Sequence, residues 1–163
     1  MSRVSCVIAL FASVQILSAQ SAPSGPGTPA LSPVTWERLV HARNEPHNWL
    51  MYSGTLDSQR FSDLDQINTD NVQDLELKWA YSIRQLDRAE TTPLVVDGVM
   101  FITESPSNVT AVDATTGRPY WRYEHPLPDD IRICCGRNNR GVSILDNTPV
   151  SYTHLTLPTN REV

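Results

Sequence analysis

Between Pro93 and Tyr123 the chain has few options other than a small antiparallel sheet. Pro93 to Val96 and Val99 to Thr103 are apolar runs on either side of Asp97-Gly98, a residue pair that readily takes the two positive φ angles of a tight hairpin turn. Asn108 to Val112 reads as a third strand and Pro119 to Tyr123 as a fourth, joined by Asp113-Ala-Thr-Thr-Gly117. Strands this short and closely spaced make one sheet of a repeat. Such a sheet cannot cover both of its faces alone and calls for neighbours of the same kind. The expected class is all-β.

The turn between the third and fourth strands belongs to a longer pattern, Ala111-Val-Asp-Ala-Thr-Thr-Gly-Arg-Pro-Tyr-Trp121, or A-x-D-x-x-T-G-x-x-x-W. Asp113 is placed to accept hydrogen bonds from the turn's own backbone, Gly117 to supply a positive φ, and Trp121 to offer a wide apolar plate to the next sheet. Upstream, Leu77 to Ser82 alternates apolar and polar residues, as a half-buried strand does. Thr35 caps an expected short helix from Trp36 to about Arg43, with Glu37 in its first turn and Arg43 in its last, before Pro46 ends it. Asn48 to Phe61 is rich in aromatic residues, with Gly54 and Asp57 as turn formers. Asn68 or Thr69 caps a short helical turn that Leu75 ends.

The two ends of the chain read differently from its middle. Met1-Ser-Arg3, an apolar run from Val7 to Leu17 and the small residues Ala19 to Ala22 have the layout of a secretory signal over residues 1–22. The run is too short to span a bilayer. Residues 23–34 are a Pro/Gly/Ser linker, expected to be extended and unpacked, and residues 35–76 a lead-in segment with short helices. A β-sheet region follows over residues 77–149. Val150 to Thr159 matches, residue for residue, one reading frame of a transposase adapter used in sequencing libraries, so residues 150–163 are expected to be a translation artefact. The alternative for that stretch is a short strand closed by Pro158.

Cys134 and Cys135 are adjacent. Consecutive Cα atoms lie about 3.8 Å apart, below the spacing of ordinary disulfides, so the pair is either two free thiols or one strained and reducible bond. Cys6 falls within the signal, which leaves an even count in an oxidising compartment and favours the bond. Arg140 follows closely and offers a planar fork suited to a carboxylate. The net charge of −5 and a set of basic residues that includes only one lysine, Lys78, argue against nucleic acid as a partner. His41, His47, His125 and His154 show no metal-ligand spacing, and no acidic pair resembles a calcium loop. Asn108-Val-Thr110 fits a glycosylation acceptor but falls within an expected strand.

Three features converge on one family: the A-x-D-x-x-T-G-x-x-x-W pattern, the adjacent cysteines followed by Asn139-Arg140-Gly141, and Glu90 just ahead of Thr92-Pro-Leu-Val-Val-Asp-Gly-Val-Met-Phe101. Residues Trp49 to Trp79 also look like the opening segment of that family. Over Asn48 to Leu145 the chain resembles the N-terminal part of a pyrroloquinoline-quinone (PQQ)-dependent alcohol dehydrogenase of the methanol/ethanol type. The resemblance implies an eight-bladed β-propeller, with PQQ in a central funnel beside a calcium or lanthanide ion. It implies that Cys134 and Cys135, joined, form a plate against the cofactor. It also implies that Arg140, with Arg137 as the alternative, and Glu90 contact the cofactor's polar edge. Glu90 meeting a cofactor carboxylate would require a shared proton or a nearby cation. Gly136-Arg137 departs from the acidic and apolar residues often seen after the cysteines.

A propeller of eight blades needs on the order of 320–360 residues, and this chain offers about one blade. The family's metal ligands and its catalytic aspartate are expected downstream of the cysteines, so no catalytic or metal-binding residue is assigned within the chain. The parent is expected to be periplasmic or secreted, to oxidise a small alcohol by hydride transfer to the quinone and to pass electrons to an exported cytochrome c. The fragment is expected to be inactive and to leave Leu77–Ser82 and the faces of its sheet exposed. A non-catalytic periplasmic propeller acting as a protein-binding scaffold is the alternative. Glu90, Arg140 and the adjacent cysteines distinguish the two, because a scaffold needs no carboxylate clamp.

Overall fold

A computed structural model describes residues 27–84, 89–127 and 136–151. At its centre is a four-stranded antiparallel sheet in the order β1 (Leu94–Val96), β2 (Val99–Glu104), β3 (Asn108–Asp113) and β4 (Pro119–Tyr123). The strands agree with the sequence reading to within a residue at each end. Asp97 and Gly98 adopt φ of 49° and 82°, as a two-residue turn matched to the right-handed twist of a hairpin requires. Val96 therefore faces Val99, and this register carries through Phe101↔Ala111↔Trp121. A register shift between Ala111 and Val112 leads into the last turn.

That turn works as its residue types suggest. Asp113 Oδ1 accepts from the backbone N–H of Thr115 and Thr116 at 2.8 and 3.0 Å, and Asp113 Oδ2 accepts from the Tyr120 hydroxyl at 3.0 Å. Gly117 has φ 72°. These bonds draw the Asp113 carboxyl below its ordinary range, the two backbone donors contributing most.

Both faces of the sheet are covered, contrary to expectation. On one side Leu94, Val96, Val99, Phe101, Val109 and Ala111 pack with Val34, Ala42, Leu50, Val142 and Ile144. The last two come from a second hairpin, β5 (Val142–Leu145) with β6 (Thr148–Ser151). Val150 and Ser151, the first residues of the expected artefact, pair in this hairpin with Ser143 and Val142. On the other side the register places Glu104, Thr110 and Arg122 together, and Tyr81 lies over them, its hydroxyl donating to Glu104 Oε1 at 3.0 Å.

Leu77–Ser82 is extended but forms no ladder among the described residues. Its two-residue period sends Trp79 and Tyr81 inward, while Leu77 is 85% exposed. Alternation thus specified an extended segment docked by its side chains. Trp79 fills the space over Gly117: its Nε1 donates to Ala114 O at 3.1 Å, and a Cβ at Gly117 would lie 2.4 Å from the indole. Trp121, expected on a neighbouring sheet, packs here against Phe101 within its own sheet, with ring centroids 6.0 Å apart.

The lead-in segment is tied to the β1–β2 turn. Thr35 caps α1 (Trp36–Val40), accepting from Arg38 N, and a 3-10 turn follows at Ala42–Asn44, so the expected helix is split at His41. Arg38 pairs with Glu45 at 2.6 Å and Asp97 at 3.1 Å, while Asn48 Oδ1 accepts from Asp97 N at 2.8 Å. Hydrogen bonding from Arg38 is the main reason the Glu45 carboxyl lies below its ordinary range. Ser32 N also donates to Asp97, Val34 is fully buried and bridges Asp146, and Leu31 packs on the core. The end of the expected linker is therefore part of the fold. The second helical turn is a 3-10 turn at Val72–Asp74, with Asn71 as its cap in place of Asn68 or Thr69.

Candidate functional site

Two loops meet beside β1. Residues 89–93 lead into β1, and residues 136–141 lead into β5. Thr103, in β2, joins them: its hydroxyl donates to Asn139 O at 3.2 Å and pairs with the Thr91 hydroxyl at 2.9 Å. Thr92 N donates to Arg140 O at 3.3 Å, and Ser105 Oγ to Arg137 O at 2.5 Å. Asn139 is buried, bonding through Nδ2 to Ser151 Oγ and through Oδ1 to Gly141 N. Gly141 has φ 138°, and a Cβ there would press on Thr92 O at 3.3 Å. The sequence Asn139-Arg140-Gly141 therefore has a local reason: an internal anchor, an outward side chain and a residue that lets the loops close.

This closure brings together two residues 50 apart in sequence. Arg140 Nε donates to Glu90 Oε2 at 3.1 Å, with the side chains 64% and 37% exposed. An ion pair this exposed contributes little to stability, about 0–1 kcal/mol. It does set a cation directly beside the Glu90 carboxylate, so the pair carries no net charge. The arginine's terminal nitrogens bond to no described residue, leaving donors for a planar carboxylate. Of the two candidate arginines, Arg140 is the one bonded to Glu90; Arg137 holds the Ser105 hydroxyl through its backbone carbonyl. Cys134 and Cys135 lie outside the described residues.

The sequence reading missed Glu104. Its side chain is fully buried yet hydrogen-bonded by Arg122 Nη1 to both oxygens at 2.8 Å, by Tyr81, by Thr110 and by Arg84 N. Burial pushes its carboxyl up, but these donors, Arg122 foremost, outweigh burial and hold it below the ordinary range. The signal was available: Glu104, Thr110 and Arg122 share one face by strand register. Among the described residues no group of three or more His, Cys, Asp or Glu could hold a metal ion. Nor is any described helix long and apolar enough to cross a membrane.

A four-stranded antiparallel sheet with a tryptophan seated on the glycine of its last turn is a propeller blade in form. Comparison with known proteins is consistent with this. Residues 49–161 match the family described as glucose/ethanol/alcohol dehydrogenase, β-propeller domain. Over 110 residues the chain is 45% identical to the dehydrogenase subunit of the Acetobacter aceti alcohol dehydrogenase (quinone), covering 66% of this chain and 15% of the relative. It is 38% identical over 140 residues to the Pseudomonas putida quinoprotein alcohol dehydrogenase PedE, covering 85% and 22%. The solved quinohemoprotein alcohol dehydrogenase ADHIIG of P. putida HK5 superposes with a TM-score of 0.65 at 39% identity, over 72% of this chain and 18% of that one. The chain belongs to the PQQ-dependent alcohol dehydrogenase family and forms part of its β-propeller. It spans about a sixth to a fifth of the length of these relatives.

Proposed function

We propose that this chain is the N-terminal part of an exported PQQ-dependent dehydrogenase of small alcohols, in which it supplies one edge of the cofactor site. The observation that carries this reading is the Glu90–Arg140 pair, held by two interlocked loops and directed outward. The residues fit the group. PQQ is a planar tricarboxylate, and Arg140 offers a planar fork of donors while balancing the charge of Glu90. When bound, the quinone supplies the two-electron acceptor for the alcohol. Glu90 and Arg140 orient its polar edge, and Cys134 and Cys135, as a joined pair, form the plate against its ring. The metal ligands, calcium or lanthanide, and the aspartate base belong to sequence beyond this chain, as does the surface that passes electrons to an exported cytochrome c. Trp121, half-buried here, docks on the adjacent blade of the parent as Trp79 docks on Gly117.

The test is to read the source DNA past the codon for Thr148 and express both the extended protein and this chain. With PQQ and calcium or a lanthanide, the extended protein is expected to show alcohol-dependent reduction of an artificial dye, and this chain none. Turnover by the chain alone, or an extended protein that binds no PQQ, would overturn the reading.

A further inference from the structure

Next to the Glu90–Arg140 pair lies a loop that none of the assigned roles uses. Trp49 is fixed against β1 by reciprocal backbone bonds with Val95 at 2.8 and 3.0 Å. Its ring packs on Gly54, where a Cβ would lie 2.9 Å from the indole. Gly54 N bonds to Met51 O and Arg60 N to Ser53 O, closing residues 51–60 into a compact loop. Two non-glycine residues of that loop, Ser58 and Arg60, sit at φ 57° and 53°. Each such backbone costs on the order of 1 kcal/mol and is kept where the surroundings or the function demand it.

The loop sets Tyr52 with the Arg60 guanidinium over its ring, Cζ 4.7 Å from the centroid. The Tyr52 phenol is drawn below its ordinary range first by hydrogen bonding from Arg60 and then from Thr92, with a longer-range pull from Arg140. Thr92 is the residue whose N–H holds the Arg140 carbonyl. Because Trp49 bridges Val95 in the antiparallel sense, the chain from Trp49 to Tyr52 runs back along the lead-in to β1 toward Thr92, which sets the Tyr52–Arg60 pair beside the Arg140–Glu90 pair. The charges there do not balance. Asp57, in the same loop, turns away to Arg43 at 2.9 Å, and Asp63 does likewise at 3.8 Å. Arg60 makes no ion pair among the described residues, which leaves two guanidinium groups against the single carboxylate of Glu90.

We propose that Tyr52 and Arg60 extend the Glu90–Arg140 site into a wider cationic rim, in which Arg60, stacked on Tyr52, receives a second carboxylate of a planar polycarboxylate cofactor of the PQQ class. This rests on the function proposed above and adds two residues to it. Tyr52 is a positioning residue, because its ring sets the plane of the guanidinium. Arg60 is the contact.

The protein extended beyond Thr148 is titrated with PQQ and binding is followed by quenching of tryptophan fluorescence, with far-UV circular dichroism and a urea midpoint checking the fold of each variant. Arg60→Ala is expected to weaken binding about tenfold, the scale of one hydrogen bond to a charged group, and Arg60→Lys less. The same titration with the PQQ trimethyl ester, which lacks free carboxylates, should bring wild type and Arg60→Ala to equal affinity. If Arg60→Ala loses the fold, Arg60→Gln takes its place, with the same loss expected. Equal PQQ affinity for wild type and a folded Arg60 variant overturns this inference alone. So does a tenfold difference that persists with the ester. A folded wild type that takes up no PQQ overturns the cofactor reading of Glu90 and Arg140, and this inference with it.

Discussion

Residues 94–123 and residues 56–77 both carry bulky apolar side chains, yet one set is buried and the other is not. Leu94, Val96, Val99, Phe101 and Val112 are at most 2% exposed, whereas Leu56, Phe61, Leu64, Ile67, Val72, Leu75 and Leu77 are 45–85% exposed. Hydrophobicity does not separate them. The first region carries its own means of burial: a positive-φ turn at Asp97-Gly98, a ladder of backbone bonds and a tie from Asp97 to Arg38 and Asn48. The second has a 3-10 turn at Val72–Asp74 and local side-chain bonds around Asn68 and Asn71, with no strand or helix long enough to present one face. Apolar residues become core only where the backbone is organised to bring a second surface to them.

The sharpest way to break this comparison is in the sheet. Phe101→Ala removes a buried ring that packs on Trp121 and should cost about 3–5 kcal/mol, read as a fall in the urea midpoint of the full chain. A loss no larger than that of an exposed-residue substitution would mean that the sheet is not the cooperative unit.

Next in size is the polar face. Arg122→Ala leaves the Glu104 carboxylate buried with its principal cation gone and should cost about 3 kcal/mol. Glu104→Gln, which keeps the shape and loses the charge, should cost less. A pH dependence follows from the same group. The folded-state pKa of Glu104 is depressed, as are those of Glu45 and Asp97. Their stabilisation is therefore present above the unfolded-state values of about 4 and is lost as the pH falls through the lower folded-state values. The urea midpoint should drop on acidification below about pH 4, and drop less in Glu104→Gln. An equal acid response in the two proteins would remove Glu104 from the account.

The same contrast explains what the sequence could and could not convey. The four strands were legible because Asp97-Gly98 and the Asp113–Gly117 turn have few alternative conformations. Glu90 and Arg140 were legible as individual positions; that they pair depended on Thr103, Thr92 and Asn139 closing two loops, a tertiary fact with no local pattern. Leu77–Ser82 failed as a strand because period-two alternation reports an extended chain with one face in. It does not report whether a neighbour will pair with its backbone. Trp79 was missed for the same reason: the motif around Gly117 announces a seat, and the side chain that fills it comes from nearly forty residues earlier in the chain. Glu104 carried no local signal; only the register, which puts it on the same face as Thr110 and Arg122 across β3, brings its partners to it.

The Trp79 seat gives a smaller effect with an internal control. Gly117 and Gly98 both have positive φ, 72° and 82°, but a Cβ at Gly98 meets nothing within 4 Å, whereas one at Gly117 enters the Trp79 ring. Gly98→Ala should cost about 1 kcal/mol from backbone strain alone, and Gly117→Ala about 2 kcal/mol, the excess reflecting the displaced indole. Indole fluorescence should shift in Gly117→Ala and stay put in Gly98→Ala. Equal costs and unchanged spectra in both would place Trp79 off the turn.

The smallest effect tests the exposed half of the comparison. Ile67 is 60% exposed, and Leu64 is 45% exposed. Ile67→Ser and Leu64→Ser remove apolar surface that already faces water, so the urea midpoint of this chain should move by no more than about 0.5 kcal/mol. A larger loss would mean that residues 56–77 pack on something in this chain. The substitutions also separate two meanings of exposure. A side chain exposed because nothing ever covers it can become serine in any context. One that is covered in a longer polypeptide will be neutral here and costly there, by about 1.5–3 kcal/mol for each fully covered aliphatic side chain. Running both substitutions in this chain and in the protein extended beyond Thr148 therefore shows which kind of surface residues 56–77 present. If the cost rises only in the extended protein, the unpaired apolar segment is half of an interface whose other half is another part of the propeller.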